Sequence, residues 1–153
     1  MLETPTRFTM VAGSAEGPSP LNAFDGALLA AGCGNMNLVR VSSILPPGAK
    51  EAERLAVPPG SLLPTAYGHI SSQTPGQLIA AAVGIAFGEE GSYGLIMETA
   101  LLGDAEEAEA RIRKMLEDGF RMRGLTPRRL LVKSTEHTVV ACGAAFAAVC
   151  LWG

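Results

Sequence analysis

At 153 residues, with 48% apolar and 18% charged side chains, the chain is long and apolar enough for one globular domain and too apolar to be disordered. A net charge of −3, no basic run and 5% aromatic residues argue against a nucleic-acid groove, a base-stacking platform or a polybasic membrane patch. Three cysteines without a C-x-x-C pair and two histidines leave no disulfide framework or metal centre to assemble, and fit a reducing cytoplasm.

Residues 1–10 carry Glu3 and Arg7 but no apolar run, so no signal peptide is expected. The apolar stretch 139–152 is too short to cross a bilayer. Residues 9–12 predict a first strand, closed by the glycine-rich segment 13–17. Ser19-Pro20 is an N-cap followed by proline at the first helical position, so a helix is expected from Pro20 to about Ala31, stopped by Gly32. Its apolar stripe is Leu21, Phe24, Leu28 and Leu29, and at about 100° per residue Asp25 falls inside it. A carboxylate on a buried face is costly unless a cation or a set of donors meets it, so Asp25 breaks the local pattern.

Residues 37–44 alternate as a strand, ended by Pro46-Pro47-Gly48, where two backbone donors are missing. After a polar loop to Gly60, residues 62–70, 78–87 and 93–97 predict strands, the middle one buried on both faces and also tolerable as a helix. Residues 104–123 are the clearest helix. Asp104 and Glu107 resemble a capping box, Ala108, Ile112, Met115 and Leu116 form the buried face, and Glu107/Arg111 and Glu109/Arg113 are spaced for i, i+4 pairs. Residues 130–133 and 138–152 supply the last strands, or a strand and a small-residue helix. Strands outnumber helices, and two long helices can cover sheet faces, so the expected fold class is α/β, a layered sandwich.

Two adjacent serines, Ser42 and Ser43, mean little alone; small polar residues commonly end a strand. Their setting is Gly34-Asn35-Met36-Asn37-Leu38-Val39-Arg40 followed by Val41-Ser42-Ser43-Ile44-Leu45-Pro46-Pro47-Gly48, and it closely resembles the self-processing site of pyruvoyl-dependent arginine decarboxylases. Val11-Ala12-Gly13-Ser14, residues 21–29, Pro64-Thr65-Ala66-Tyr67-Gly68, Gly94-Leu95-Ile96-Met97-Glu98, Glu136-His137-Thr138-Val139 and residues 144–148 look like the same family, in order and at compatible spacing over nearly the whole chain.

The resemblance implies a layered α-β-β-α sandwich that assembles as a homotrimer or a dimer of trimers with intersubunit active sites. It implies cleavage between Ser42 and Ser43 into a β chain, 1–42, and an α chain, 43–153, with Ser43 becoming a covalent pyruvoyl group and no need of a metal or pyridoxal phosphate. Physically, Ser43 Oγ would attack the Ser42 carbonyl, provided that the fold strains that peptide and aims donors at the developing oxyanion. Acyl transfer from nitrogen to oxygen leaves an ester, and elimination with loss of ammonia leaves a ketone. That ketone would take the α-amine of L-arginine as a Schiff base and accept the electrons released with CO2, giving agmatine. The residues do not identify the base that activates Ser43.

Roles for side chains follow from the same resemblance. Glu98, after the apolar run 94–97, would be the acid that protonates the α-carbon, since an apolar setting keeps a carboxyl protonated; the alternative is an exposed glutamate at a strand end. Asp25 would receive the substrate guanidinium, which suits a carboxylate fork; the alternative is an ion pair with an internal arginine such as Arg40. Asn37 resembles the family's active-site asparagine, able to bind the substrate's amine or carboxylate; the alternative is a turn asparagine entering a strand. Ser42, carrying the new C-terminus, would sit beside the substrate carboxylate. His137 beside Glu136 fits an ordinary hydrogen-bonded histidine.

Competing interpretations are a pyruvoyl decarboxylase of another amino acid and an unprocessed, non-catalytic ligand-binding homologue. A nucleotide-binding module is disfavoured, because neither Gly13-x-x-x-Gly17 nor Gly32-x-Gly34 completes G-x-G-x-x-G and no Walker lysine follows.

Overall fold

Local punctuation acts where the sequence puts it. In the computed structural model, which describes residues 2–153, Ser19 is extended and its hydroxyl accepts the Asn22 N–H at 3.1 Å, so helix α1 (Pro20–Ala31) starts at the proline. It stops because Gly32 turns left-handed, φ 88°, a conformation that costs glycine little. Helix α2 (Ala105–Met122) is capped by Asp104, whose Oδ1 accepts the Glu107 N–H at 2.8 Å. Glu109 and Arg113 approach to 4.0 Å, but Arg111 reaches Thr99 Oγ1 instead of the expected Glu107. Such exposed pairs contribute less than about 1 kcal/mol. Neither helix is long and apolar enough to cross a membrane.

The strands are β1 (Arg7–Glu16), β2 (Asn37–Arg40), β3 (Ile44–Leu45), β4 (Lys50–Glu51), β5 (Leu62–Ser72), β6 (Leu78–Phe87), β7 (Gly94–Leu102), β8 (Arg129–Thr138) and β9 (Gly143–Trp152). They form two sheets, ordered β2-β5-β9-β1-β4 and β3-β7-β6-β8. The near-continuous apolar runs of β9 and β6 take interior places in these sheets and are buried along almost their whole length. The chain is therefore α/β, with two sheets and two helices. One apolar cluster draws Phe8 and Val149 from the first sheet and Ile85 and Ile96 from the second. A second joins Ala23, Ala27 and Leu28 of α1 to Phe146 and Ala148, and a third joins Ile112, Leu116 and Phe120 of α2 to Ala82 and Leu95.

Several boundaries differ from expectation, each for a packing reason. Strand β1 does not stop at Gly13 but runs to Glu16. A Cβ at Gly13 would stand 2.6 Å from the Ala27 carbonyl oxygen, so that glycine admits the helix rather than turning the chain. Strand β7 continues past Met97 to Leu102 because β6 keeps pairing with it, out to Ile79 opposite Leu102. The alanine-rich end of the chain is a strand, not a helix, because both of its faces are covered: Phe146 lies in the α1 cluster and Ala147 in the cluster shared by the two sheets. The polar loop before Gly60 contains the short β4, paired in parallel with Arg7 and Phe8.

Asp25 does not lie on a buried stripe. The side of α1 that meets the sheet must be small, and it is Ala23 and Ala27, with Leu28, that are buried. Leu21 and Leu29 are 75% and 53% exposed, and Asp25 is exposed between them at i, i+4 spacing.

His137 bonds the Glu16 carboxylate, which also accepts the N–H groups of Ala141 (2.9 Å) and Cys142 (3.0 Å) and so ties the β8–β9 turn to the end of β1. These donors, the Ala141 N–H first and His137 next, hold the Glu16 carboxyl down at about 2. A lowered carboxyl contributes stability above its ordinary value of about 4.3 and loses it as pH falls through its folded value. Thermal melts of the unmodified protein are expected to drop between about pH 4.3 and about pH 2, and Glu16→Gln should flatten that drop while leaving activity at neutral pH unchanged.

Candidate active site

The predicted strand 37–44 is two strands in different sheets. Arg40 ends β2 opposite Thr65 of the first sheet, and Ile44 begins β3 opposite Leu95 of the second. Residues 41–43 carry the chain across. Val41 N–H donates to the Thr65 carbonyl at 3.2 Å, and the Ser43 carbonyl accepts the Ile96 N–H at 2.7 Å, so the serine pair is pinned at each end to a different sheet. Between these anchors the Ser42 carbonyl accepts the Ile44 N–H at 3.3 Å, a three-residue turn centred on Ser43. No described residue other than glycine has positive φ, so the expected backbone strain at Ser43 does not take a left-handed form. What the turn supplies is a donor on the carbonyl that an attacking hydroxyl would convert to an oxyanion.

Glu98 lies two residues beyond Ile96 on β7 and so on the same side of the strand, about 7 Å further along. Its neighbours on that side, Ile96 and Ala100, pack in the cluster shared by the two sheets. Opposite it the sheets approach closely, since a Cβ at Gly68 would stand 2.7 Å from the Thr99 carbonyl oxygen. Glu98 is half-buried and its Oε2 is buried without a hydrogen-bond partner. Burial pushes its carboxyl above the usual range, and the Arg40 guanidinium opposes that rise.

Arg40 itself lies over the Tyr67 ring, 4.3 Å from its centroid, and donates to the Tyr67 carbonyl at 2.6 Å. Beyond Tyr67, His69 packs against Phe24 at 4.8 Å between centroids. Partial burial, then the charge of Arg40, hold the His69 imidazole below its ordinary value. Asn37 is exposed at the start of β2, where its Nδ2 donates to the Gly60 carbonyl at 2.9 Å, as a turn asparagine would.

Ser42 and Ser43 thus sit at the sheet crossover, and Glu98 lies two residues along β7 from Ile96, whose N–H holds the Ser43 carbonyl. Asn37 is turned to the Gly60 loop, and Asp25 is on the outer side of a helix that packs chiefly on β1 and β9. Among the described residues Asp25 has no ion pair with Arg40, whose guanidinium is engaged by Tyr67. The seat of Arg40 on Tyr67 is the feature of this region that the sequence does not announce. Among the described residues no group of three His, Cys, Asp or Glu side chains is placed to hold a metal ion.

The chain thus joins an α/β fold to a serine pair slung between its two sheets. Residues 7–152 match the family described as pyruvoyl-dependent arginine decarboxylase (PvlArgDC), and the chain belongs to that family. It is 50% identical over 149 residues to the pyruvoyl-dependent arginine decarboxylase of Methanocaldococcus jannaschii, covering 97% of this chain and 90% of that one. The proteins of the same description from Methanococcus vannielii and Pyrococcus abyssi are 43% identical over 151 residues and 46% identical over 138; they cover 98% and 89% of this chain, and 92% and 87% of their own lengths are covered.

Proposed function

We propose that this chain decarboxylates L-arginine to agmatine and CO2, using a pyruvoyl group that it makes from Ser43 by cutting itself after Ser42. The observation that carries this proposal is the turn at the crossover, where the Ser42 carbonyl already holds the Ile44 N–H and Glu98 waits unpartnered nearby. Ser43 Oγ attacks the Ser42 carbonyl carbon and loses its proton; the C–N bond breaks as the nitrogen takes a proton, leaving an ester. Removal of the Ser43 α-proton then expels Ser42 as a carboxylate and leaves a dehydroalanine. Water hydrolyses its imine tautomer, ammonia departs, and a ketone caps residues 43–153. The Ile44 N–H meets the charge that develops on the Ser42 oxygen, and the Ile96 N–H fixes the Ser43 carbonyl.

The residues present fit such a group: Glu98, with its orphaned Oε2, supplies an acid on the strand that holds the Ser43 carbonyl. Once formed, the ketone supplies an electron sink for the pair left when CO2 departs. Glu98, whose protonated form burial favours, would hold on its carboxyl oxygen the proton that the substrate α-carbon takes. Ser42 contributes its new carboxylate to the wall of the site, and Asn37, freed from Gly60, an amide for the substrate's polar end.

One helix cluster outside each sheet supports the α-β-β-α sandwich. A homotrimer, or a dimer of trimers, accounts for the apolar surface left on α1 and on the β2–β5 edge, where Leu62 is 74% exposed and Val39 is also exposed. Such an assembly would let the exposed Asp25 serve a site shared between neighbouring subunits. Three buried free thiols suit a reducing cytoplasm.

Intact mass of the purified protein is expected to show fragments 1–42 and 43–153, the longer blocked to N-terminal sequencing and labelled by phenylhydrazine. A single uncut chain that persists on standing overturns the proposal. The substrate's cationic tail is tested separately: Asp25→Ala should leave cleavage intact and lower kcat/KM for arginine about tenfold to a hundredfold, the worth of one hydrogen-bonded charge. Unchanged arginine kinetics would instead favour a decarboxylase of another amino acid.

A further inference from the structure

The hydrogen bonds between β2 and β5 keep a fixed register up to the serine pair. Asn37 N–H donates to the Ser61 carbonyl at 2.8 Å and Val41 N–H to the Thr65 carbonyl at 3.2 Å. Arg40 lies opposite Thr65 in this parallel pair, so the next donor in step is the Ser43 N–H and its acceptor is the Tyr67 carbonyl. That rung is absent. Among the described residues the Ser43 N–H meets no backbone acceptor. The Tyr67 carbonyl is taken instead by the Arg40 guanidinium at 2.6 Å, which also lies 4.3 Å over the Tyr67 ring and so is fixed twice by one residue.

We infer that Arg40 is a positioning residue for self-cleavage: its guanidinium takes the place of the next rung, ends β2 and keeps the Ser42–Ser43 peptide out of the first sheet. The inference rests on Ser42–Ser43 being the bond that is cut, and adds how the sheet is kept from claiming that bond.

Strand β5 runs on to Ser72, well past Tyr67, so its edge offers β2 room to extend. In a ladder a residue's N–H and C=O point to the same side. A Ser43 N–H bonded to Tyr67 would therefore turn the Ser43 carbonyl towards β5 and away from the Ile96 N–H, which it accepts at 2.7 Å. It would also hold the scissile nitrogen flat in the sheet and undo the turn in which the Ser42 carbonyl meets the Ile44 N–H. A charged donor bonds a carbonyl more strongly than a neutral amide does, so Arg40 wins that acceptor. Among the described residues Arg40 has no ion pair to draw it away.

The test compares Arg40→Met, which keeps the reach and drops the donor, with Arg40→Lys, which keeps a charged donor. Arg40→Met protein is expected to cut itself about tenfold more slowly, the worth of one backbone hydrogen bond regained by the uncut chain, while Arg40→Lys cuts near the parent rate. Chains that have cut should turn over arginine as the parent does, a split that general damage to the fold would not give. The rung itself is read by amide exchange in full-length Ser43→Ala protein, which stays whole. There the residue-43 amide should exchange faster than that of Val41, and adding Arg40→Met should protect it. Where Arg40→Met does not fold, the comparison with Val41 decides alone. Cleavage indifferent to Arg40→Met, equal slowing by Met and Lys, a matching loss of turnover per cut chain, or a residue-43 amide as protected as that of Val41 overturns the inference. A parent protein that never cuts would count against the proposed function and leave the exchange result standing.

Discussion

Ser43→Ala protein is expected to persist as one uncut chain and to release no CO2 from arginine, whereas Ser42→Ala protein should still cut itself. The difference lies in what each residue contributes. Ser43 supplies the hydroxyl that attacks and the carbon skeleton that becomes the ketone; without its Oγ neither exists. Ser42 supplies a backbone carbonyl, which alanine keeps together with the Ile44 N–H bond at 3.3 Å. The loss in Ser43→Ala cannot be laid to misfolding, because the contacts that define the turn are backbone ones, to Ile44 and to Ile96 at 2.7 Å. Intact mass and 14CO2 release on the same preparations check all three statements. Cleavage in the Ser43→Ala chain would mean that the nucleophile lies elsewhere.

How far the sequence discloses this arrangement depends on the range of the interaction. Ser19, Gly32 and Asp104 are legible because a cap acts on backbone three residues away or fewer. The burial of Glu98 is legible only through the resemblance, because an apolar run before a glutamate equally suits an exposed strand end; the strand in fact runs on to Leu102. The division of residues 37–45 between two sheets is not, since their alternation is the same whichever sheet they join; only the pairing with Thr65 and Leu95, far along the chain, decides it. Asp25 misleads for a related reason. A stripe counted by leucines points Leu21, Asp25 and Leu29 inward, but the helix rests on Gly13, and a close backbone approach selects the alanine side.

Glu98→Gln separates making the ketone from using it. The amide keeps the shape of the side chain, so cleavage into 1–42 and 43–153 should proceed, but it has no acidic proton to deliver, and kcat is expected to fall about 10²- to 10⁴-fold, the usual worth of a positioned acid. The residual activity should lose the alkaline limb that marks ionisation of Glu98. Stability gives a second and opposite signature. Burial raises this carboxyl in the folded protein, so its favourable contribution is complete below the unfolded value of about 4.3 and disappears as pH rises through the folded value. Above that window the parent carries a half-buried carboxylate whose Oε2 has no partner, and the neutral amide should melt higher; below it the two proteins should melt alike. A variant slower in catalysis yet more heat-resistant only on the alkaline side is the expected outcome, read from kcat and Tm profiles over the same pH range. If melting temperatures differ by a constant amount at every pH, Glu98 is not the buried acid that this site requires.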